Sequence, residues 1–130
     1  MIMKTPSWKP QLLITIDNVD FTLHFEDEDL NAKDHFMNEC GMSPSEYKEI
    51  NNFYWFVARI EATKGGEVLA DSYLGGNCYK SLNDVMQDKK LDNVLSGYAP
   101  QIIEECQEEA HIALQLLIER KEQQLIDLKG

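Results

Sequence analysis

Glu108 and His111 have the spacing of a metal-binding helix motif. Glu-x-x-His places a carboxylate and an imidazole on one face of a helix, one turn apart, as in half of a di-iron carboxylate site. Such a site needs a second pair of this kind, and the sequence contains none. Because short motifs often occur by chance, we predict no metal ion and no cofactor here. The acidic stretch is instead interpreted as the solvent-facing side of a helix, formed by Glu104, Glu105, Glu108 and Glu109.

A second acidic stretch consists of Glu26, Asp27, Glu28 and Asp29. Consecutive carboxylates could bind a hard cation, but this stretch lacks the spaced ligands and the glycine of an EF-hand loop. A helical pattern follows it, and acidic residues stabilise the positive end of a helix dipole. We therefore predict that the stretch leads into a helix and belongs to an acidic interaction surface.

Cys78 is a candidate nucleophile, because it follows the Gly75-Gly76 pair in an unusual local sequence. The glycines do not form a phosphate-binding loop, in which Lys-Ser or Lys-Thr follows the last glycine directly. A Cys-His pair would require the fold to bring His24, His35 or His111 to the thiol. Glycines inside a strand usually mark a bulge or bend. We predict a bulge here and assign no catalytic residue.

The aromatic run Phe53-Tyr54-Trp55-Phe56 could stack nucleic-acid bases. Such platforms work beside basic residues, and only Lys48 and Arg59 are near in sequence. Large aromatic side chains dominate the packing of cores and interfaces. We therefore predict core or interface packing, with Trp55 as a candidate interaction residue.

Composition indicates one acidic domain spanning residues 1–130, long enough to bury a core. Twenty-three acidic and twelve basic residues give a net charge of −11. This charge disfavours binding to nucleic acid and to anionic membranes, and it favours a basic partner. No segment has the pattern of a signal peptide or a membrane span. An odd number of widely spaced cysteines is typical of reduced thiols, so we predict a cytoplasmic protein with Cys40, Cys78 and Cys106 unpaired.

Two β-hairpins are predicted from alternating apolar residues. In the first, Leu12–Phe25, we expect a four-residue loop, because a shorter Asn18-Val19 turn would pair Asp17 with Asp20. In the second we expect a three-residue loop, Lys64-Gly65-Gly66, which gives one apolar face with Ile60, Ala62, Val68 and Ala70. The opposite face is polar near the turn. Further along it carries Phe53, Trp55 and Val57, so we expect another segment to cover it there.

Helical patterns follow each hairpin. The first runs from Leu30 to Gly41, and Ser43-Pro44-Ser45-Glu46 is a capping box with proline at the first helical position. Ser81 caps another short helix, and a polar connection spans residues 88–99. A long helix from Pro100 to about Leu128 carries one apolar stripe. At about 40 Å it would outrun the sheet, and its end after Arg120 would fray or dimerise.

The element order β-β-α-α-β-β-α-α predicts an α+β fold. Two hairpins merge into a four-stranded antiparallel sheet, with helices packed on one face and a long C-terminal helix.

The segment Tyr73-Leu74-Gly75-Gly76-Asn77-Cys78-Tyr79-Lys80-Ser81, after Trp55–Ala62, resembles short proteins of bacterial prophages and other mobile elements. In those proteins a strand and turn lead into an aspartate, a Leu-Gly-Gly/Cys and Tyr-x-Ser run, and then a helix. The resemblance implies a bacterial or phage cytoplasm and small accessory proteins that bind host or phage proteins. It implies no activity and no functional residue.

Together these features favour a small acidic protein that binds a protein partner and dimerises through its C-terminal helix. We expect it to bind neither membranes nor nucleic acid directly. One alternative is a nucleic-acid mimic that inhibits a DNA- or RNA-binding protein. Another is a small enzyme that uses Cys78 or the Glu108 and His111 pair. The expected interaction residues are Glu26, Asp27, Glu28, Asp29, Trp55, Glu104, Glu105 and Glu108.

Overall fold

A computed structural model describes residues 3–129 and has the predicted α+β fold. The strands are β1 Gln11–Ile16, β2 Val19–Glu26, β3 Tyr54–Lys64 and β4 Glu67–Tyr79. The α-helices are α1 Pro44–Ile50, α2 Leu82–Met86 and α3 Ala99–Lys129, with a π-helix at Asp34–Glu39 and 3₁₀ turns at Gln87–Lys89 and Leu91–Gly97. The strands form one antiparallel sheet in the order β1-β2-β3-β4.

The core lies between the sheet and α3. Alternate residues of β2 and β3 point toward the helix, and Phe21, Leu23, Phe56 and Ile60 are each at most 1% exposed. The thiol of Cys106 on α3 donates to the carbonyl of Ile60 at 3.6 Å. The second face of the sheet is covered at one end by the segment that contains the π-helix. Trp55 lies on this outward face and is buried by that segment.

The first hairpin has a shorter loop than predicted. Ile16 pairs with Val19, and the two-residue turn consists of Asp17 and Asn18, with φ of 51° and 65°. A two-residue turn with both φ values positive matches the right-handed twist of the strands, and Asn and Asp tolerate this conformation better than most residues. This register also avoids the pairing of Asp17 with Asp20.

The central hairpin also has a two-residue turn, Gly65-Gly66, so the predicted three-residue loop was wrong. Lys64 pairs with Glu67, and a register shift follows on β4 before Ala62 pairs with Ala70. Both glycines have positive φ, which costs glycine little. The buried face of β3 is as predicted, but Val68 is 55% exposed.

The bulge predicted at Gly75-Gly76 is present. Ala58 pairs with Leu74 and Phe56 pairs with Asn77, so two residues of β4 lie opposite Val57 alone. The strand does not end there, but continues to Tyr79. The buried Asn77 amide donates to the carbonyls of Phe56 and Leu74, which stabilises the irregular backbone.

The helix caps are confirmed. Ser43 and Glu46 form the predicted capping box, and the Ser81 side chain accepts from the backbone N–H of Asp84. The helix predicted after Leu30 is instead largely a π-helix, with acidic residues 26–29 outside it: Glu26 ends β2. The acidic stretch thus leads into a helical segment, as predicted, although the type of helix differs.

Residues 87–97 form more than a polar connection. Val94 and Leu95 are 1% and 0% exposed and belong to the core. They were missed because two apolar residues between polar neighbours give no periodic signal. Their turns, with positive φ at Leu95 and Ser96, have no sequence pattern of their own.

Helix α3 begins on the sheet and extends beyond it. Ile102, Ile103, Cys106 and Ala110 are buried as predicted, whereas every residue from 118 to 128 is exposed. Thirty-one residues correspond to about 46 Å. None of the described helices combines the length and the apolar content that a bilayer span requires.

Candidate functional site

The acidic face of α3 is formed by Glu104, Glu105, Glu108 and Glu109, which are all exposed. The same turns of the helix pack against the sheet through their buried side chains, which are Ile102, Ile103, Cys106 and Ala110. The carboxylates therefore have a rigid support. None of the four forms an ion pair within residues 3–129, where ion pairs involve only other side chains. The acidic face thus presents four carboxylates that have no ion-pair partner among the described residues.

Beside this face lies a cleft of about 380 Å³ between α3 and the turns of both hairpins. Its floor is apolar, and its rim adds Asp17 and Lys64 to Glu104, Glu108 and His111. No sequence pattern indicates Asp17 or Lys64 at this place, because only the fold brings the hairpin turns to the helix. The cleft extends the acidic face toward the sheet.

His111 and Glu108 do line the same cleft, as their helical spacing predicts. However, the described residues contain no group of three or more His, Cys, Asp or Glu side chains positioned to hold a metal ion. Both residues lie on the polar rim of the cleft.

The second acidic stretch divides into structural and exposed residues. The Glu26 carboxylate accepts from Arg59, and the two oxygens of Glu28 accept from the backbone N–H groups of Leu30 and Gly76 at 3.1 and 2.7 Å. Asp27 and Asp29 are exposed. Glu26 thus joins β2 to β3, and Glu28 holds the segment after β2 against β4.

Arg59 lies on the outer face of the sheet between two carboxylates. Its guanidinium donates to Glu26 on β2 and to Glu61 on its own strand, and His24 Nε2 lies 3.6 Å from Glu61. Burial lowers the pKa of Arg59, but the hydrogen bonds to Glu61 and Glu26 outweigh this effect and raise it. Arg59 is therefore charged throughout the working range and neutralises carboxylates that would otherwise repel each other.

Trp55 is buried, with 6% of its surface exposed. Its indole N–H donates to the carbonyl of Leu30 at 2.9 Å, and the rings of His35 and Phe36 lie 5.5 and 5.4 Å from its ring. The expected cover of the outward face is thus the segment between β2 and α1. In this structure the Trp55 ring is out of reach of a partner.

Gly75-Gly76 and Cys78 line an open groove of about 380 Å³ at the edge of the sheet. Burial raises the pKa of Cys78 to about 11, so the thiol is protonated at neutral pH. The Sγ atom of Cys78 lies 4.0 Å from the sulfur of Met3. This environment does not activate Cys78.

A different cysteine has a histidine beside it. The Sγ atom of Cys40 lies 3.7 Å from Nε2 of His35, and Nδ1 of that ring lies 3.1 Å from a carboxylate oxygen of Glu39. Sequence reasoning missed this arrangement because five residues separate Cys40 from His35, and five-residue spacing places side chains on different faces of an α-helix.

The fold and these surfaces define a two-layer α+β protein with an acidic face on a projecting helix. In comparisons with protein-family models, curated proteins and solved structures, the chain matches none of them.

Proposed function

We propose that this chain is a small interaction protein that self-associates through the far half of α3 and presents its acidic face to a basic protein partner. The observation that carries the proposal is the exposure of large apolar side chains on α3. They are Ile112, Leu116, Ile118, Leu125, Ile126 and Leu128, each more than half exposed. Of these, Ile118, Leu125 and Leu128 lie on the side of the helix that continues the buried stripe. An exposed apolar stripe of this kind marks an interaction site.

The far half of α3 gains no packing from its own domain. Most helical stability in proteins comes from packing of an apolar face, and isolated helices of fewer than about 12–15 residues are marginal in water. Residues 118–128 contain only eleven residues, all exposed. A second copy of the same helix would supply the missing apolar surface.

The charges on α3 favour an antiparallel pair. Residues 99–117 carry four glutamates and no lysine or arginine, whereas residues 118–129 carry three acidic and three basic residues. A parallel pair would align the glutamates of the two copies, and like charges repel. An antiparallel pair separates these glutamates. It also places the sheets of the two copies at opposite ends of the dimer, which keeps apart two chains that each have a net charge of −11.

Self-association is tested by light scattering of the full chain over a wide range of concentrations. For the wild type we expect a dimer, with twice the chain mass of 15.0 kDa. The Leu125→Glu/Leu128→Glu variant should be a monomer, with the mass of one chain. The matched control is Leu12→Glu/Val68→Glu, which places the same charges at similarly exposed apolar positions on the sheet edges. A monomeric wild type, or an unchanged dimer in the helix variant, contradicts the proposal.

Orientation is tested by cross-linking in a Cys40→Ser background. Cysteine introduced as Asp127→Cys, near the end of α3, would form a disulfide with its own copy only in a parallel pair. We expect no such bond. Efficient cross-linking would overturn the antiparallel arrangement.

Partner binding is tested by capture from a bacterial lysate, because we infer that the protein acts in the cytoplasm. The buffer should match the pH and ionic strength of that compartment. Glu105→Lys/Glu109→Lys should abolish capture of the partner, because it reverses charges on the acidic face. Asp27→Lys/Asp29→Lys changes the same number of exposed carboxylates outside that face and should retain capture. Equal loss in both variants would contradict a specific role for α3, and competition by added DNA would favour a nucleic-acid mimic.

A further inference from the structure

We propose that Cys40, His35 and Glu39 form a reactive-thiol site that undergoes disulfide exchange with low-molecular-weight disulfides. The three groups are arranged as a nucleophile, a base and a residue that orients the base. Sγ of Cys40 lies 3.7 Å from His35 Nε2, and Nδ1 of the same ring lies 3.1 Å from Glu39 Oε2. A thiol within reach of a histidine that a third group orients is the arrangement of an activated nucleophile.

The local backbone explains how these side chains meet. Residues 34–39 form a π-helix, in which the hydrogen-bonded partner is five residues away rather than four. The backbone N–H of Cys40 accordingly donates to the carbonyl of His35 at 3.0 Å. This spacing places Cys40 above His35 on one face, which an α-helix would not do. Single π-turns occur frequently at functional sites.

The surrounding residues fix the ring of His35 without burying it. The rings of Phe36 and Trp55 lie 5.0 and 5.5 Å from the imidazole, and the His35 side chain is 30% exposed. Glu39 contacts Nδ1, so the orientation favours Nδ1 as the protonated nitrogen and leaves Nε2 to accept the thiol proton. Trp55, which is itself buried, thereby supports the position of the base.

The site is open to a small disulfide. Cys40 is exposed, whereas Cys78 is half-buried and Cys106 is buried. Gly41, the next residue, has φ of +71° and no atom within 4 Å of an added Cβ, so the backbone beside the thiol is unobstructed. The π-helix therefore presents the one exposed thiol among the described residues next to its base.

The exchange step is balanced. The Cys40 thiol transfers its proton to Nε2 of His35, and the thiolate attacks one sulfur of the incoming disulfide. The S–S bond of that disulfide breaks, a mixed disulfide forms on Cys40, and the second sulfur leaves as a thiolate. His35 returns the proton to this leaving group, so the ring ends neutral. The incoming disulfide is the oxidant: the Cys40 sulfur is oxidised, and one sulfur of the disulfide is reduced to a thiol.

The inference is tested by the rate of reaction of the full chain with oxidised glutathione, with the modified cysteine assigned by mass spectrometry. We expect modification at Cys40. His35→Phe keeps an aromatic ring against Trp55 and removes the base. It should slow the reaction at neutral pH about tenfold and change the dependence of the rate on pH.

Glu39→Gln should give a smaller loss of rate with a changed pH profile, because it weakens the orientation of the base. His111→Phe and Glu49→Gln are the matched controls, since both residues are exposed and lie outside the cluster. Both controls should react as the wild type does. If His35→Phe, shown to be folded by circular dichroism, keeps the wild-type rate and pH profile, Cys40 is merely an exposed thiol and the inference is wrong.

Discussion

The carboxylate of Glu28 holds the bulge at Gly76, 48 residues further along the chain, through a hydrogen bond of 2.7 Å from the backbone N–H. A Cβ added at Gly75 would lie 3.1 Å from the same oxygen, so glycine gives the carboxylate room to approach. The bulge and the acidic stretch are therefore two halves of one structural contact.

Glu28→Ala should lower the free energy of unfolding by about 1–3 kcal/mol, because it leaves a partly buried N–H without its charged acceptor. Urea denaturation measures this change. Asp29→Ala, one residue away and exposed, should alter it by no more than about 0.5 kcal/mol. Equal effects would show that the Glu28 contact adds no stability.

Trp55→Phe should lower the free energy of unfolding by about 1–2 kcal/mol. The smaller ring keeps aromatic packing against Phe36, but the hydrogen bond to the carbonyl of Leu30 is lost. Trp55→Ala should cost about 3–5 kcal/mol, since it also creates a cavity. Thermal or urea unfolding measures both, and similar losses for the two variants would mean that the hydrogen bond dominates over packing.

Arg59→Met should destabilise the fold most at neutral pH. Removing the guanidinium leaves the carboxylates of Glu26 and Glu61 uncompensated, at a cost of about 1–3 kcal/mol. Carboxylates lose their charge in acid, so the repulsion between them, and with it the loss of stability, becomes smaller as the pH falls.

The measurement is urea denaturation of wild type and variant at several pH values. The difference between them should shrink from neutral pH toward acidic pH. Lys80→Met, which removes an exposed cation without an ion-pair partner among the described residues, should show a small difference with little dependence on pH. A constant loss for Arg59→Met would contradict the electrostatic explanation.

Cys78 and Cys106 should resist alkylation in the folded protein. Burial raises the pKa of each thiol to about 11, so the thiolate is scarce at neutral pH. Their reaction with iodoacetamide should become faster as the pH approaches 11. Unfolding of the protein should make both thiols reactive immediately. Peptide mapping measures each site, and rapid alkylation of folded Cys78 would restore it as a candidate nucleophile.

The sequence was informative where a structure depends on local chemistry. The Ser43 and Glu46 capping box, the buried stripe from Ile102 to Ala110 and the glycine bulge each arise from residues close in the chain. Hairpin registers were less predictable, because Asp17-Asn18 and Gly65-Gly66 fit turns of several lengths. The choice depends on the twist of the strands and on how the sheet packs.

The candidate sites depend on contacts that no local pattern contains. Glu28 meets Gly76, and Asp17 comes to line the same cleft as Glu108, only after the sheet forms. The pairing of His35 with Cys40 is local, but it depends on a π-turn. The sequence pattern of residues 30–40 predicts an α-helix, in which these two side chains would lie on different faces. The acidic residues could therefore be listed from the sequence, whereas their separation into structural and exposed groups required the fold.

The irregular course of β4 also has a consequence for aggregation. At thirteen residues it is the longest strand and lies at the edge of the sheet, where unpaired amides can recruit the strand of another molecule. The shift after Val68 and the bulge at Gly75-Gly76 interrupt that row of amides. The Glu28 contact thus helps to prevent the sheet from growing into a fibril by addition of strands at this edge.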